Sequence, residues 1–262
     1  MQIPLFPLHT VLCPGIVIPL HIFEERYRAM TRHCLETGGP FGVVLIRAGR
    51  DVGRTALKAV AGVGAFAEIR EAGRYPDGRY DVLAAATGRF AIESVDTSTE
   101  PYLVARVTPL DDAVGDEARA ERLSALAIHR FVRYLDLIRA RDGETVEALD
   151  IRVEIDAPDD DAARADAPSG PAEDVSPESP DADRPITRRD LTIPDDPTVL
   201  SYLLSGIVQA ELPRRQGLLE ASTTEARLEG LIALLDREIA LLERRLRWFA
   251  PDQRELGGAR LN

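Results

Sequence analysis

Pro4-Leu5-Phe6-Pro7-Leu8, then Pro14-Gly15, then Leu20-His21-Ile22-Phe23-Glu24-Glu25-Arg26-Tyr27-Arg28 is the stretch on which the fold turns. The first segment reads as a strand, Pro14-Gly15 as a turn, and the residues up to Ile22 as a second strand. At Glu24 the pattern switches to helix. The prolines stand where a backbone donor is dispensable. The helix spans residues 24–36 and is ended by Gly38-Gly39-Pro40, where glycine supplies a left-handed turn and proline forbids continuation.

Outward from this stretch the pattern stays β-rich. Residues 42–47 form a continuous apolar run, short enough for a strand buried on both faces. Val63, Ala65, Ala67 and Ile69 alternate with Gly64, Phe66, Glu68 and Arg70, the period of a half-buried strand. Tyr75-Pro76-Asp77-Gly78-Arg79 has hairpin-turn chemistry and joins that strand to another over residues 80–86. Further strands are expected over 90–95 and 102–107, linked through a Ser/Thr-rich turn ending at Pro101. Several short strands with turns between them imply a small, partly closed barrel over residues 1–112.

The remainder is helical and interrupted. Residues 116–140, within a region 113–155, carry Leu123, Ala127, Phe131, Leu135 and Ile138 as one apolar stripe. In the region 186–262, Asp196-Pro197 is a helix start with a capping carboxylate and proline in the first turn, and Pro213 is expected to stop that helix. Ser222-Thr223-Thr224-Glu225 reads as a capping box before a long helix reaching about Phe249. Leu228, Ile232, Leu235, Ile239, Leu242, Leu246 and Phe249 recur in steps of four and three, a heptad pattern, and Leu231, Leu234 and Leu241 widen the stripe toward bundle packing. Intrachain packing is the favoured use of this stripe, and self-association through the 223–249 helix the alternative.

Between the two helical regions lies an acidic, proline-rich stretch. Residues 156–185 hold eight Asp and two Glu against two Arg, out of a total net charge of -12, and almost no large apolar side chains. Such a segment cannot offset the entropy of ordering itself and is expected to be a disordered insert. No apolar run is long enough to cross a bilayer, and Met1-Gln2-Ile3-Pro4 does not open as a secretory leader, so a cytoplasmic location without membrane association is expected. The two cysteines, Cys13 and Cys34, read as free buried thiols.

Chemistry finds little support, and neither a catalytic nor a cofactor site is expected. Lys58 is the only lysine, no phosphate-cradling Gly-x-x-x-x-Gly-Lys string exists, and Gly62-x-Gly64 lacks the third glycine of a dinucleotide fingerprint. His9, Cys13, His21, His33, Cys34 and His129 are the soft metal ligands, and they show neither Cys-x-x-Cys nor His-x-x-x-His spacing. His9 with Cys13 could be drawn as a base and nucleophile, and His21, Glu24, Arg26 and Tyr27 as an acid-base cluster. A packed thiol in the first case and a helix start with local ion pairs in the second account for these residues better.

The opening residues resemble the N-terminal, substrate-binding domain of the Lon family of ATP-dependent proteases, whose members begin with a Pro-Leu-Phe-Pro-Leu stretch and reach Leu-His-Ile-Phe-Glu-x-Arg-Tyr after a Pro-Gly turn. Arg214-Arg215-Gln216-Gly217-Leu218-Leu219-Glu220 with Arg227-Leu228-Glu229 resembles that family's helical subdomain. The resemblance implies an α+β chain, a PUA-like β pseudobarrel followed by an all-helical subdomain. Because the sequence contains neither an ATPase module nor a Ser-Lys peptidase, it is expected to be a stand-alone, non-enzymatic adaptor without cofactor or metal. The function so implied is recognition of exposed or unfolded polypeptide, with a polypeptide client or a protease as partner. The alternatives are an RNA-binding protein, by analogy with PUA-like domains, and a hydrolase with an unrecognised site. An isoelectric point near 4.9 disfavours nucleic acid. The position of the binding surface is not legible from sequence.

Overall fold

The structure, a computed structural model, describes residues 1–47, 60–142 and 193–249. Lys58, the acidic stretch 156–185 and the residues after Phe249 lie outside the described residues. One strand organises the β part. β5, Tyr80–Asp96, is 17 residues long, where the sequence pattern suggests two strands parted near Thr87-Gly88. It stays continuous because the break is a bulge: Gly88 pairs with Phe66 and Ala86 with Ala67, which leaves Thr87 as the extra residue. A bulge bends a strand and adds twist.

That bend lets β5 change neighbours. Its first half lies between β4, Val63–Arg74, and β2, Val17–Ile22. Its second half lies between β4 and β6, Leu103–Leu110. β6 also pairs antiparallel with β1, Gln2–Leu8, and β1 runs parallel to β3, Phe41–Leu45, which returns to β4. The circuit β5-β4-β3-β1-β6-β5 is closed, so five strands form a small barrel and β2 hangs on as an outer sixth. β3 is buried along its whole length, as its unbroken apolar run requires.

α1, Glu25–Thr37, packs against strand residues such as Phe6, Phe41 and Val43 and ends where Gly38 takes the left-handed conformation, φ 65°. Tyr27, Met30, Thr31 and Cys34 are its buried residues, and Tyr27 meets Phe6 edge-on with ring centroids 4.4 Å apart. The remaining helices are α2, Glu117–Asp142; α3, Pro197–Ile207; α4, Leu212–Glu220; and α5, Thr224–Phe249. Asp196 caps α3 as expected, its carboxylate accepting from the amides of Thr198 and Val199. Two expectations need correction. α3 ends at Ile207, and Pro213 opens α4 instead of stopping α3, a position where the missing N–H has no ladder partner to lose. The capping box on Ser222 does not form: the Thr223 hydroxyl accepts from the Ala226 amide at 3.1 Å, and Glu225 turns away to accept from the Asp116 amide at 3.1 Å, at the start of α2.

Most of the heptad-like stripe of α5 packs within the chain, while Leu241 stays 40% exposed. Leu228, Leu231, Leu235, Ile239 and Leu242 share one core with Ala127, Phe131, Tyr134 and Ile138 of α2 and Leu200, Leu203 and Leu204 of α3. Ion pairs such as Arg130–Asp236, at 2.7 Å, cross the solvent side of the α2–α5 seam.

Barrel and helices meet at two buried arginines. Arg89 of β5 donates to the carbonyls of Leu219 (2.9 Å) and Ala221 (2.7 Å) at the end of α4, donates to the Asp111 carbonyl and pairs with the Asp112 carboxylate at 2.8 Å. Arg227 of α5 donates to the Leu218 carbonyl and to the Ser201 hydroxyl. The Tyr202 hydroxyl donates to the Asp112 carboxylate. Arg227 Nη2 lies 3.7 Å from the same carboxylate, so two guanidiniums share it. The C-terminal carbonyls of α4, the negative end of its dipole, supply the rest of the compensation. Burial lowers the Arg227 pKa and, together with the Asp112 bond, raises that of Tyr202.

Candidate functional site

The end of β2 and the β4–β5 hairpin build an exposed aromatic shelf. Antiparallel pairing sets His21 of β2 opposite Asp81 of β5, so the two side chains emerge side by side on one face. His21 Nδ1 lies 2.6 Å from the Asp81 carboxylate, and the Tyr75 hydroxyl donates to the other oxygen of the same group. The Phe23 ring stacks near His21, centroids 6.2 Å apart at 28°, and the Tyr75 ring stands at 70° to His21 at the same separation. Arg79 lies 5.4 Å above the Tyr75 ring and is held by Asp77 through a 2.7 Å bond. Phe23 is 62% exposed and Tyr75 40%.

The hairpin beneath is held from outside. Gly78 takes φ 85° in the turn, and its carbonyl accepts from Arg28 Nε of α1 at 2.7 Å. Any Cβ on Gly78 would lie 2.0 Å from the Arg28 guanidinium. Arg28, the last residue of the opening motif, therefore fixes the turn that carries Tyr75. Electrostatics follow the bonds: those from Tyr75 and then His21 hold the Asp81 carboxyl below the usual carboxylate range, and the Asp81 bond raises the Tyr75 hydroxyl. Such a surface offers apolar faces with fixed polar edges. It has no nucleophile paired to a base and holds no enclosed space.

The structure separates most of the residues that sequence chemistry would group. Cys13 is fully buried while His9 is exposed, and burial pushes the Cys13 thiol up to about 11, against thiolate formation. Cys34 is buried, likewise pushed up to about 11, and its neighbour His33 faces outward. His129 is exposed on α2. No group of three metal-ligating side chains occurs among the described residues. Of the His21, Glu24, Arg26 and Tyr27 cluster, Glu24 pairs with Arg26 at 2.9 Å, Arg26 lies 4.7 Å over the Tyr27 ring, and Tyr27 packs inward. Only His21 joins the shelf. Tyr75, Arg79 and Asp81 escape a sequence reading because a turn motif explains them; an aromatic directly beside an Asp-Gly turn is the one available signal.

Concavities also lie in the helical part among the described residues. One, of about 280 Å³, is floored by Leu218 and Leu234 and walled by Gly217, Ala221, Ala226 and Gly230; another, of about 480 Å³, surrounds Arg215, Arg237 and Glu238. The first presents small side chains already packed between α4 and α5, and the second is an open furrow in which Glu211 and Glu238 pair with Arg237, while Arg215 donates to the carbonyls of Val11 and Gly206. Neither exposes a large apolar face comparable to the shelf.

The fold of this chain is shared with solved Lon N-terminal domains. The Lon N-terminal domain protein of Xanthomonas campestris superposes with a TM-score of 0.51 at 21% identity, covering 89% of this chain and 98% of its own. The N-terminal domain of the Mycobacterium avium complex Lon protease superposes with a TM-score of 0.51 at 17% identity, over 90% of this chain and 98% of its own. Residues 2–237 match the ATP-dependent protease La (LON) substrate-binding domain, and the chain belongs to that family. Among curated relatives, the Lon proteases of Chloroherpeton thalassium and Escherichia coli K12 are each 24% identical, over 92% and 94% of this chain. The chain spans only 24% and 26% of those proteins' lengths. The matched domain is the substrate-binding one and not the catalytic one. Among the described residues no helix is long and apolar enough to cross a membrane.

Proposed function

We propose that the chain is a polypeptide-recognition module that captures exposed aromatic or aliphatic side chains of unfolded protein on the shelf formed by His21, Phe23 and Tyr75. The observation that carries this reading is the exposure of Phe23 and Tyr75 on a surface whose polar groups are pinned by Asp81, Arg79 and Arg28. Exposed large apolar groups set together on a rigid base mark an interaction surface. Membership of the substrate-binding family supports the same class of ligand. In this role the module contributes recognition alone, presenting bound polypeptide to a protease active site that resides elsewhere, on a partner or on further sequence of its own. Neither a cofactor nor a metal enters it. It acts in the cytoplasm, and the helical bundle, most of whose apolar stripe is buried, serves as support and not as a self-association surface.

The test is titration of a fluorescent, reduced and unfolded model protein against the wild type and a Phe23→Ser/Tyr75→Ser double variant. Loss of about tenfold or more in affinity, with the melting temperature retained, is the expected outcome, since burial of one large apolar side chain is worth about 1.5–3 kcal/mol. Unchanged binding by the double variant places recognition elsewhere.

A further inference from the structure

We infer that the open edge of β2 captures an extended segment of unfolded polypeptide by strand addition, so that the shelf reads side chains while the edge holds backbone. This inference rests on the polypeptide-binding reading and specifies its geometry.

β2 pairs along one side only, with β5, from Val17↔Ala85 to Ile22↔Tyr80. The Ala86 amide donates to the Ile16 carbonyl at 3.0 Å. In an antiparallel pair, residues bonded to the neighbour alternate with residues whose N–H and C=O turn away. Ile18, Leu20 and Ile22 therefore face β5, and Val17, Pro19 and His21 turn their backbone groups to the open side. Pro19 agrees with that parity: a residue without an N–H stands where no ladder bond is lost. Val17 is buried, so the usable edge begins at Pro19 and offers the Pro19 carbonyl and both the N–H and the C=O of His21. Among the described residues no other strand pairs there, and β5 is the only element with more than marginal contact to β2.

The edge and the shelf are continuous. The residue that offers both backbone groups, His21, also carries the ring against which Phe23 stacks. An added strand would run 4.7–4.9 Å from β2, within reach of the exposed Pro19 and Phe23 side chains. Such a strand needs alternating side chains, one set meeting Phe23 and Pro19 and the other facing away. The same edge is poorly suited to a second copy of this chain, because Pro19 withholds a donor and proline on an edge opposes edge-to-edge pairing. A heterologous, flexible polypeptide is the occupant that can supply donors to the Pro19 and His21 carbonyls and choose its register.

The experiment uses the full chain and three fluorescein-labelled peptides of alternating phenylalanine and threonine: one unmodified, one N-methylated on the backbone of its phenylalanines, one on that of its threonines. Strand addition places the amides of one set against β2 and of the other against solvent. One methylated peptide should then bind about tenfold or more weaker than the unmodified one, and the other within about twofold of it. Amide exchange at His21, fast in the free protein, should slow on saturation with the unmodified peptide. If all three peptides bind alike, and Phe23→Ser weakens all of them, strand addition is overturned and the shelf reading stands. If both methylated peptides lose affinity equally, strand addition is likewise overturned. If no peptide binds, both readings fall. A dimer in sedimentation that the unmodified peptide dissolves would seat a second copy on the edge and overturn the inference.

Discussion

The guanidinium of Arg227 lies 3.7 Å from the centroid of the Tyr202 ring, and Arg227 has no solvent exposure at all. An arginine so placed is tolerated because the tyrosine face, the Leu218 carbonyl, the Ser201 hydroxyl and the Asp112 carboxylate, 3.7 Å from Nη2, replace its water. Arg227→Ala removes the cation and leaves those acceptors buried without a donor. It should destabilise the protein by about 2–4 kcal/mol in urea unfolding. Arg227→Met, which keeps much of the stem, should cost less, and a loss below about 1 kcal/mol for the alanine variant would show that the site is not a structural anchor.

The buried thiol of Cys13 makes stability fall in alkali. Its pKa rises on folding from an ordinary 9.0 to about 11 through burial. A group raised in the folded state contributes fully below its unfolded pKa and loses that contribution as pH climbs through the folded value. Stability should therefore drop between about pH 9 and pH 11. Cys13→Ala should flatten part of that drop, by about 2 kcal/mol, in chemical denaturation at several pH values. An identical slope in the variant would assign the drop to other groups.

Gly78→Ala confronts two obstacles at once, the positive φ of the turn and the Arg28 guanidinium. It should lower stability by about 1–3 kcal/mol and weaken capture of unfolded polypeptide, since the turn carries Tyr75. Adding Arg28→Ala relieves the contact but not the φ, so it should restore only part of the melting temperature. Full restoration would mean that backbone conformation is irrelevant there.

Salt separates polypeptide from nucleic acid. Burial of apolar surface on Phe23 and Tyr75 is weakly screened, so binding to unfolded protein should change little from low to moderate ionic strength. Single-stranded RNA, titrated in parallel, should bind weakly and lose affinity steeply as counterions are released. Salt-sensitive, tight RNA binding without polypeptide binding would reverse the assignment of ligand class.

Local chemistry made much of this molecule legible in sequence. The Asp196-Pro197 cap, the Gly38 stop, the Asp77-Gly78 turn and the unbroken apolar run of β3 each express a preference of a few neighbouring residues, and each stands in the structure. Misreadings arose where a distant partner decides. Thr87-Gly88 looks like a break until β4 is present to pair across it, and Glu225 looks like a capping residue until the start of α2 claims it. The site was legible only in part for the same reason. His21 and Phe23 belong to the opening motif, but their companions Tyr75 and Asp81 lie beyond a helix, a strand and much of another, and only the register of β2 on β5 brings them together.

The reach of Arg89 also constrains how the protein is made. A chain leaving the ribosome exposes Arg89 well before Leu219 and Ala221, the carbonyls that receive its guanidinium. Until they arrive, the barrel holds a charge at its base with only the neighbouring Asp111 and Asp112 to satisfy it. The later-synthesised helices therefore complete the earlier-synthesised strands, and nascent chains halted short of Leu219 should remain protease-sensitive throughout the barrel.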